Sequence, residues 1–110
     1  MKDQITFPDF VKLDLRVGVV LSAEMVKGSE RLIKTIVDLG PELGEKQIIA
    51  GMALWYKPED LLKKRVIVIA NLEPRKMMGL ESQGMILAAG DKNPALLSVD
   101  QDLAAGSIVR

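Results

Sequence analysis

From Leu13 to Met25 every odd-numbered position is apolar: Leu13, Leu15, Val17, Val19, Leu21, Ala23 and Met25. The even positions are mostly polar or small, with Asp14, Arg16, Gly18, Ser22 and Glu24 among them. Seven successive matches to a period of two predict a β-strand, because side chains alternate across a pleated strand. Thirteen residues is long for a strand. Gly18 sits near the middle and is the expected point of bending, since glycine relieves the steric limit on a kink or bulge. A long strand bent at its centre can belong to two walls of a small closed barrel, and this is the strongest constraint the chain places on its fold.

The remaining segments fit such a barrel. "VKGSERL" reads as a turn, and "LIKTIVDLG" as a second strand with Ile33, Thr35, Val37 and Leu39 on one face and Lys34 and Asp38 on the other. "GPELGEK" is rich in turn residues, and "QIIAGM" is a third strand. "YKPEDLLKK" is expected to be a short helix, with Pro58 in its first turn, Glu59 and Asp60 at its positive end, and Lys63 and Lys64 at its negative end. "RVIVIAN" and "GMILAAG" are the fourth and fifth strands. "ALLSV" and "SIVR" are expected to form a last short pair. Between strands four and five lies "NLEPRKMMGLESQGM", residues 71–85, too long for a tight hairpin and expected to be a rim loop. The expected class is all-β: a five-stranded OB-fold barrel with one short helix between strands 3 and 4 and short terminal extensions. An SH3-like barrel and a plain β-sandwich are the structural alternatives. At 110 residues the chain is expected to be a single domain, residues 1–110, with residues 1–10 as an N-terminal arm.

Composition then removes whole classes of function. Cysteine and histidine are both absent, which takes away disulfides, thiolate chemistry, the usual zinc ligands and the base of a serine or cysteine triad. No phosphate-loop or dinucleotide-binding glycine spacing occurs, and no cofactor is expected. An enzyme is the weakest reading. No apolar run approaches the length of a membrane span, and "MKDQITFPDF" lacks the apolar region of a signal peptide; a cytoplasmic protein is expected. Fifteen basic and fifteen acidic side chains give zero net charge, unevenly spread. Residues 57–76 carry Lys57, Lys63, Lys64, Arg65, Arg75 and Lys76 against Glu59, Asp60 and Glu73. A local basic patch can exist on a neutral protein, although a solvated charged surface accounts for the same numbers.

Residues 71–85 hold the best binding candidates. Arg75 and Lys76 can neutralise phosphates. Ser82 and Gln83 can donate to and accept from ribose or a base edge, and Asn71 offers both hydrogen-bond senses at the strand end. Met77, Met78 and Met85 offer polarizable apolar contact to a base face. Each also has a plain structural role: Pro74 and Gly79 as turn formers, Met78 as a gap filler, Met85 as core. Trp55 and Tyr56, just before the helix, read as packing residues.

"DFVKLDLRVGVVLSAE", "LIKTIVDLG", "QIIAGMALWYKPEDL" and "VIVIANLEPRKMMGLESQGMILAAGD", in that order, resemble the tRNA-binding OB-fold domain. That domain occurs at the C-terminus of many methionyl-tRNA synthetases, as a separate β subunit of some, in the endothelial-monocyte-activating polypeptide group, and as a free-standing tRNA-binding protein. The resemblance covers about residues 9–110 and implies non-catalytic binding of tRNA by its shape, in association with a methionyl-tRNA synthetase or alone. It implies tRNA contacts at Asn71, Arg75, Lys76, Ser82, Gln83 and Met85, to which Arg16 and Lys34 are added from the strand faces. It also implies a homodimer built from the residue 1–10 arm and the 95–110 extension. CsaA-type export chaperones share the "DFxKxDxRVG" opening, so a peptide-binding chaperone is the alternative; the "SQGM" ending favours the synthetase-type branch. The chain departs from the more basic tRNA binders of this group in its neutrality, which a dimer, doubling the patch, can offset.

Overall fold

Leu15–Met25 (β1) form one strand that pairs along two different partners, as its length requires. The computed structural model describes residues 1–110. In chain order the elements are α1 (Phe7–Val11), β1, β2 (Ile33–Asp38), α2 (Gly40–Leu43), β3 (Glu45–Ala50), α3 (Pro58–Leu61), β4 (Arg65–Ile69), β5 (Arg75–Met77), β6 (Leu80–Ser82), β7 (Met85–Ile86), β8 (Ala88–Ala89), β9 (Ala95–Leu96) and β10 (Ile108–Val109). The first part of β1, Leu15–Val19, is antiparallel to β4, and the second, Val19–Met25, to β2. The sheet runs β3-β2-β1-β4-β7, with β10 on the free edge of β1. These five strands make a nearly closed antiparallel barrel, an all-β, OB-like fold with few short helices.

The bend is not where the glycine suggested. The register shifts between Val20 and Ser22, so Leu21 is the bulged residue. Before the bulge the even positions face the interior: Val20 is fully buried in the central cluster, and a Cβ on Gly18 would lie 2.5 Å from Val37 Cγ1 and 3.0 Å from Leu39 Cδ2. Gly18 is therefore a close-approach glycine rather than a hinge. After the bulge the parity inverts and odd-numbered Ala23 packs on the core, while Leu21 and Met25 are exposed. A single inserted residue reverses which face each later side chain occupies.

The barrel is filled by Val20, Ile33, Val37, Leu39, Ile48, Val66 and Val68, each fully enclosed, closed at one end by Leu61 of α3. Burying each such aliphatic side chain contributes about 1.5–3 kcal/mol. Thr35, also enclosed, donates its hydroxyl to the Ile48 carbonyl at 2.7 Å, so no polar atom is stranded inside.

Three further expectations change. Helix α3 is one turn and stops before Lys63, because Lys63 N–H donates to the Val20 carbonyl and Val20 N–H to the Lys64 carbonyl. Those bonds pull the chain onto β1. "ALLSV" and "SIVR" do not pair with each other. β9 pairs with β8, and β10 takes the edge of β1 at Leu15 and Arg16, which β2 leaves open by pairing only from Val19 onward. The N-terminal arm contains a helix, α1, capped by Thr6 Oγ1 accepting from Asp9 N–H at 3.2 Å, with Pro8 in its first turn.

The C-terminal segment lies across its own barrel. Arg65 donates to the Leu103 carbonyl (2.7 Å) and pairs with Asp102 (2.9 Å), and Ser98 donates to the Arg65 carbonyl. Gly106 then meets Gly40 so closely that a Cβ on either would lie 2.6 Å from the other segment's backbone oxygen. Both glycines have positive φ.

Candidate nucleic-acid interface

The segment between β4 and β7 folds as a small hairpin. β5 and β6 pair Arg75 with Ser82, Lys76 with Glu81 and Met77 with Leu80. The turn is Met78-Gly79, with φ of +53° and +80°, the conformation of a two-residue turn whose central residues are both left-handed. Side chains alternate along it, so Arg75, Met77 and Ser82 share the face toward the barrel, while Lys76 and Glu81 oppose each other on the outer face.

This hairpin closes the barrel where its strands do not meet. Between β3 and the chain from β6 to Gly84 the bonding is carried largely by side chains. Ile49 N–H donates to Ser82 Oγ (3.0 Å), and Ser82 Oγ–H donates to the Gly84 carbonyl (3.1 Å). Gln47 N–H donates to Gln83 Oε1 (3.0 Å), Gln83 N–H to the Gln47 carbonyl (2.7 Å), and Gln47 Nε2 to the Glu81 carbonyl (2.9 Å). Between the hairpin and the barrel wall runs a groove of about 310 Å³. Met52, Met77 and Met85 line it, with Glu73 and Arg75 contributing charge. Arg75 and Lys76 are exposed, and neither is engaged in an ion pair.

Residues 15–108, which include the whole barrel and this hairpin, match the family model described as "Putative tRNA binding domain". The chain belongs to this tRNA-binding domain family. It is 52% identical over 110 residues to the methionine–tRNA ligase of Methanocaldococcus jannaschii, covering 98% of this chain and 17% of the ligase. It is 48% identical over 109 residues to that of Thermotoga maritima, again covering 98% and 17%. The domain thus spans about a sixth of the length of these relatives. Among solved structures it resembles a MetRS-related protein from Pyrococcus horikoshii, with a TM-score of 0.92, 35% identity, and 99% of this chain and 100% of that one covered. The chaperone CsaA from Bacillus anthracis superposes with a TM-score of 0.90 at 32% identity, over 98% and 100%.

Within this tRNA-binding domain the residues singled out from sequence divide into two groups. Arg75, Lys76 and Met85 are exposed around the groove and hairpin, although Arg75 and Lys76 stand on opposite faces of the hairpin rather than forming one charged pair. The others carry structural bonds. Ser82 is buried and Gln83 is bonded to β3 as above, with only its amide nitrogen left over. Asn71 clamps the segment before β1, accepting from Asp14 N–H and donating to the Lys12 carbonyl, both at 2.8 Å. Lys34 pairs with Glu24 directly across the β1–β2 ladder at 2.8 Å.

Arg16 is 8% exposed. Its guanidinium donates to both carboxylate oxygens of Asp14, to Glu42 and to the Gly106 carbonyl. The Asp14 hydrogen bond raises its pKa above the usual arginine value, outweighing desolvation, with Glu42 adding to the effect. The raised value means the stabilisation is complete below the ordinary arginine range and is lost only as pH rises through the still higher folded-state value. Arg16 therefore remains a fixed cation under all ordinary conditions, tying β1 to α2 and the C-terminal segment.

Sequence reasoning missed Gln47 and Glu73. Gln47 is the last of three polar residues that open β3 before its apolar half, and nothing in that run marks it as bonded to the hairpin. Glu73 lies within residues 71–85 and enters the sequence reading only as an acidic count, whereas in the fold it lines the groove. The basic stretch 57–76 is also less than a patch. Lys63 and Lys64 precede β4, whereas Arg75 and Lys76 follow it on the β5–β6 hairpin, so the basic residues sit on different elements. Arg65 between them is neutralised by Asp102.

Proposed function

We infer that this chain is a non-catalytic, structure-directed tRNA-binding module that works in the cytoplasm as a methionyl-tRNA synthetase β-subunit-like or free-standing tRNA-binding protein. The observation that carries this reading is the family match over residues 15–108, together with a hairpin that presents exposed, unpaired Arg75 and Lys76 beside an apolar groove. In this reading Arg75, Lys76 and Met85 meet RNA directly, and the free amide nitrogen of Gln83 adds a donor. Ser82, Asn71 and Arg16 hold the surface in shape. Binding supplied by phosphate neutralisation weakens linearly in log–log terms with salt, with a slope of about −0.7 to −0.9 per phosphate. A filter-binding titration with total tRNA at two salt concentrations tests it: salt-sensitive binding supports the reading, and no binding at low salt removes it.

A homodimer fits the same reading. Phe7, Val11, Leu13 and Ile108 are exposed large apolar residues, and the first three share with Ile108 and Val109 a groove of about 270 Å³. Such a face is costly to leave in water, and its contributors are the two terminal segments. Sedimentation at micromolar concentration tests it, with a monomer counting against the dimer.

The likeness to CsaA and the methionine-lined groove support a second reading, a peptide-binding chaperone. Suppression of client aggregation without RNA is its expected signature, and no effect at excess protein removes it.

A further inference from the structure

Resting on the RNA-binding reading, we propose that the groove between the β5–β6 hairpin and the barrel is a pocket for one unstacked guanine nucleotide. Its volume, about 310 Å³, suits a single base with part of its ribose, not a helix. Met52 is buried at its wall, Met77 is half-buried and Met85 is 49% exposed at its mouth. Three flexible, polarizable thioethers can lie against a planar base without demanding one geometry, supplying the stacking surface that aromatic residues provide in other single-strand binders. The chain is poor in aromatics, with one Trp, one Tyr and two Phe, and none of them lines this groove.

The polar lining selects the base. Glu73 and Arg75 both line the groove, both are exposed, and neither is engaged in an ion pair. A carboxylate only accepts hydrogen bonds. Guanine alone among the four bases has two adjacent donors on its Watson–Crick edge, N1–H and the N2 amino group. Adenine and cytosine put an acceptor nitrogen next to their amino group, and uracil flanks its single N–H with two carbonyl oxygens, so each sets a lone pair against Glu73. Arg75 then takes the phosphate or the guanine O6. An apolar peptide side chain fits the methionines but leaves both charges unmatched, which is why a nucleotide is favoured over a peptide here.

The intact chain tests this by fluorescence anisotropy with the RNA hexamers UUGUUU, UUAUUU, UUCUUU and UUUUUU at low salt, alongside total tRNA. The guanine hexamer is expected to bind at least about fivefold more tightly than the other three, the lower end of what one bidentate base contact provides. Glu73→Gln, an exposed and structurally uncommitted position, is expected to erase that preference. A second readout uses the six methionine methyl groups as NMR probes: GMP should shift the signals of Met52, Met77 and Met85 and leave Met1 and Met25 in place. Equal binding of all four hexamers while tRNA still binds overturns the guanine pocket and leaves the RNA-binding reading standing. Failure of tRNA to bind at low salt overturns both. If N-acetyl-trileucine amide moves the three pocket methyl signals and GMP does not, the groove is a peptide site and the proposal falls.

Discussion

Ser82 shows how one hydroxyl changes meaning between sequence and structure. In sequence it stands in a polar cluster and invites assignment to ribose. In the fold it is 5% exposed and satisfies the Ile49 N–H of a strand edge that has no backbone partner there. Ser82→Ala strands that buried donor and is expected to destabilise the domain by about 1–3 kcal/mol in urea unfolding. A loss under about 0.5 kcal/mol, the level of an ordinary surface change, would mean the hydroxyl is dispensable to the barrel. Gly18 makes a parallel case. With Val37 Cγ1 2.5 Å from the position of a Cβ, Gly18→Ala is expected to cost about 1–3 kcal/mol through overpacking, read in the same unfolding experiment. Neither role was legible from residue type. Both depend on neighbours distant in the chain, and polar side chains bonded across such distances look, in sequence, the same as polar side chains awaiting a ligand.

At the scale of elements, the strands with a clear period were legible, and so was the pairing of one long first strand with two partners. The bulge at Leu21 was not, because alternation in the sequence runs straight through it. The β5–β6 hairpin was hidden for a different reason. Its turn is Met78-Gly79, whereas the usual signal for both central residues at positive φ is Asn-Gly or Asp-Gly. Holding Met78 in a left-handed conformation costs roughly 1 kcal/mol. Met78→Asn is therefore expected to raise stability by up to about 1 kcal/mol. A loss instead would show that the methionine side chain, whose methyl group reaches toward Gly28, contributes more through contact than its backbone costs. The hairpin also fixes the expected electrostatic signature of binding. With Arg75 and Lys76 on opposite faces, their replacement by Ala in turn is expected to flatten the salt dependence of tRNA binding in two separate steps, each of about 0.7–0.9 in log–log slope. If one variant alone removes the whole effect, only one hairpin face meets RNA.

For the whole molecule, neutrality and the loss of Arg16, Lys34 and Arg65 to internal ion pairs leave the hairpin as the main uncompensated basic feature near the groove. Affinity then depends on few phosphate contacts per chain, and a dimer that engages one tRNA twice gains through effective concentration. The all-β class and the order of the main barrel strands were visible in the sequence. Which residues of 71–85 are bonded into the barrel and which are exposed was not, since it follows from how β3 is bonded to β6 and Gln83. The central claim is that this surface binds tRNA, and a tRNA titration at two salt concentrations with single-stranded DNA as control tests it most directly. The expected result is tRNA binding at low salt that weakens as salt rises, exceeds binding to the DNA, and is diminished in Arg75→Ala and Lys76→Ala. Binding that is absent at low salt, or that is equal for tRNA and DNA and indifferent to both substitutions, contradicts it.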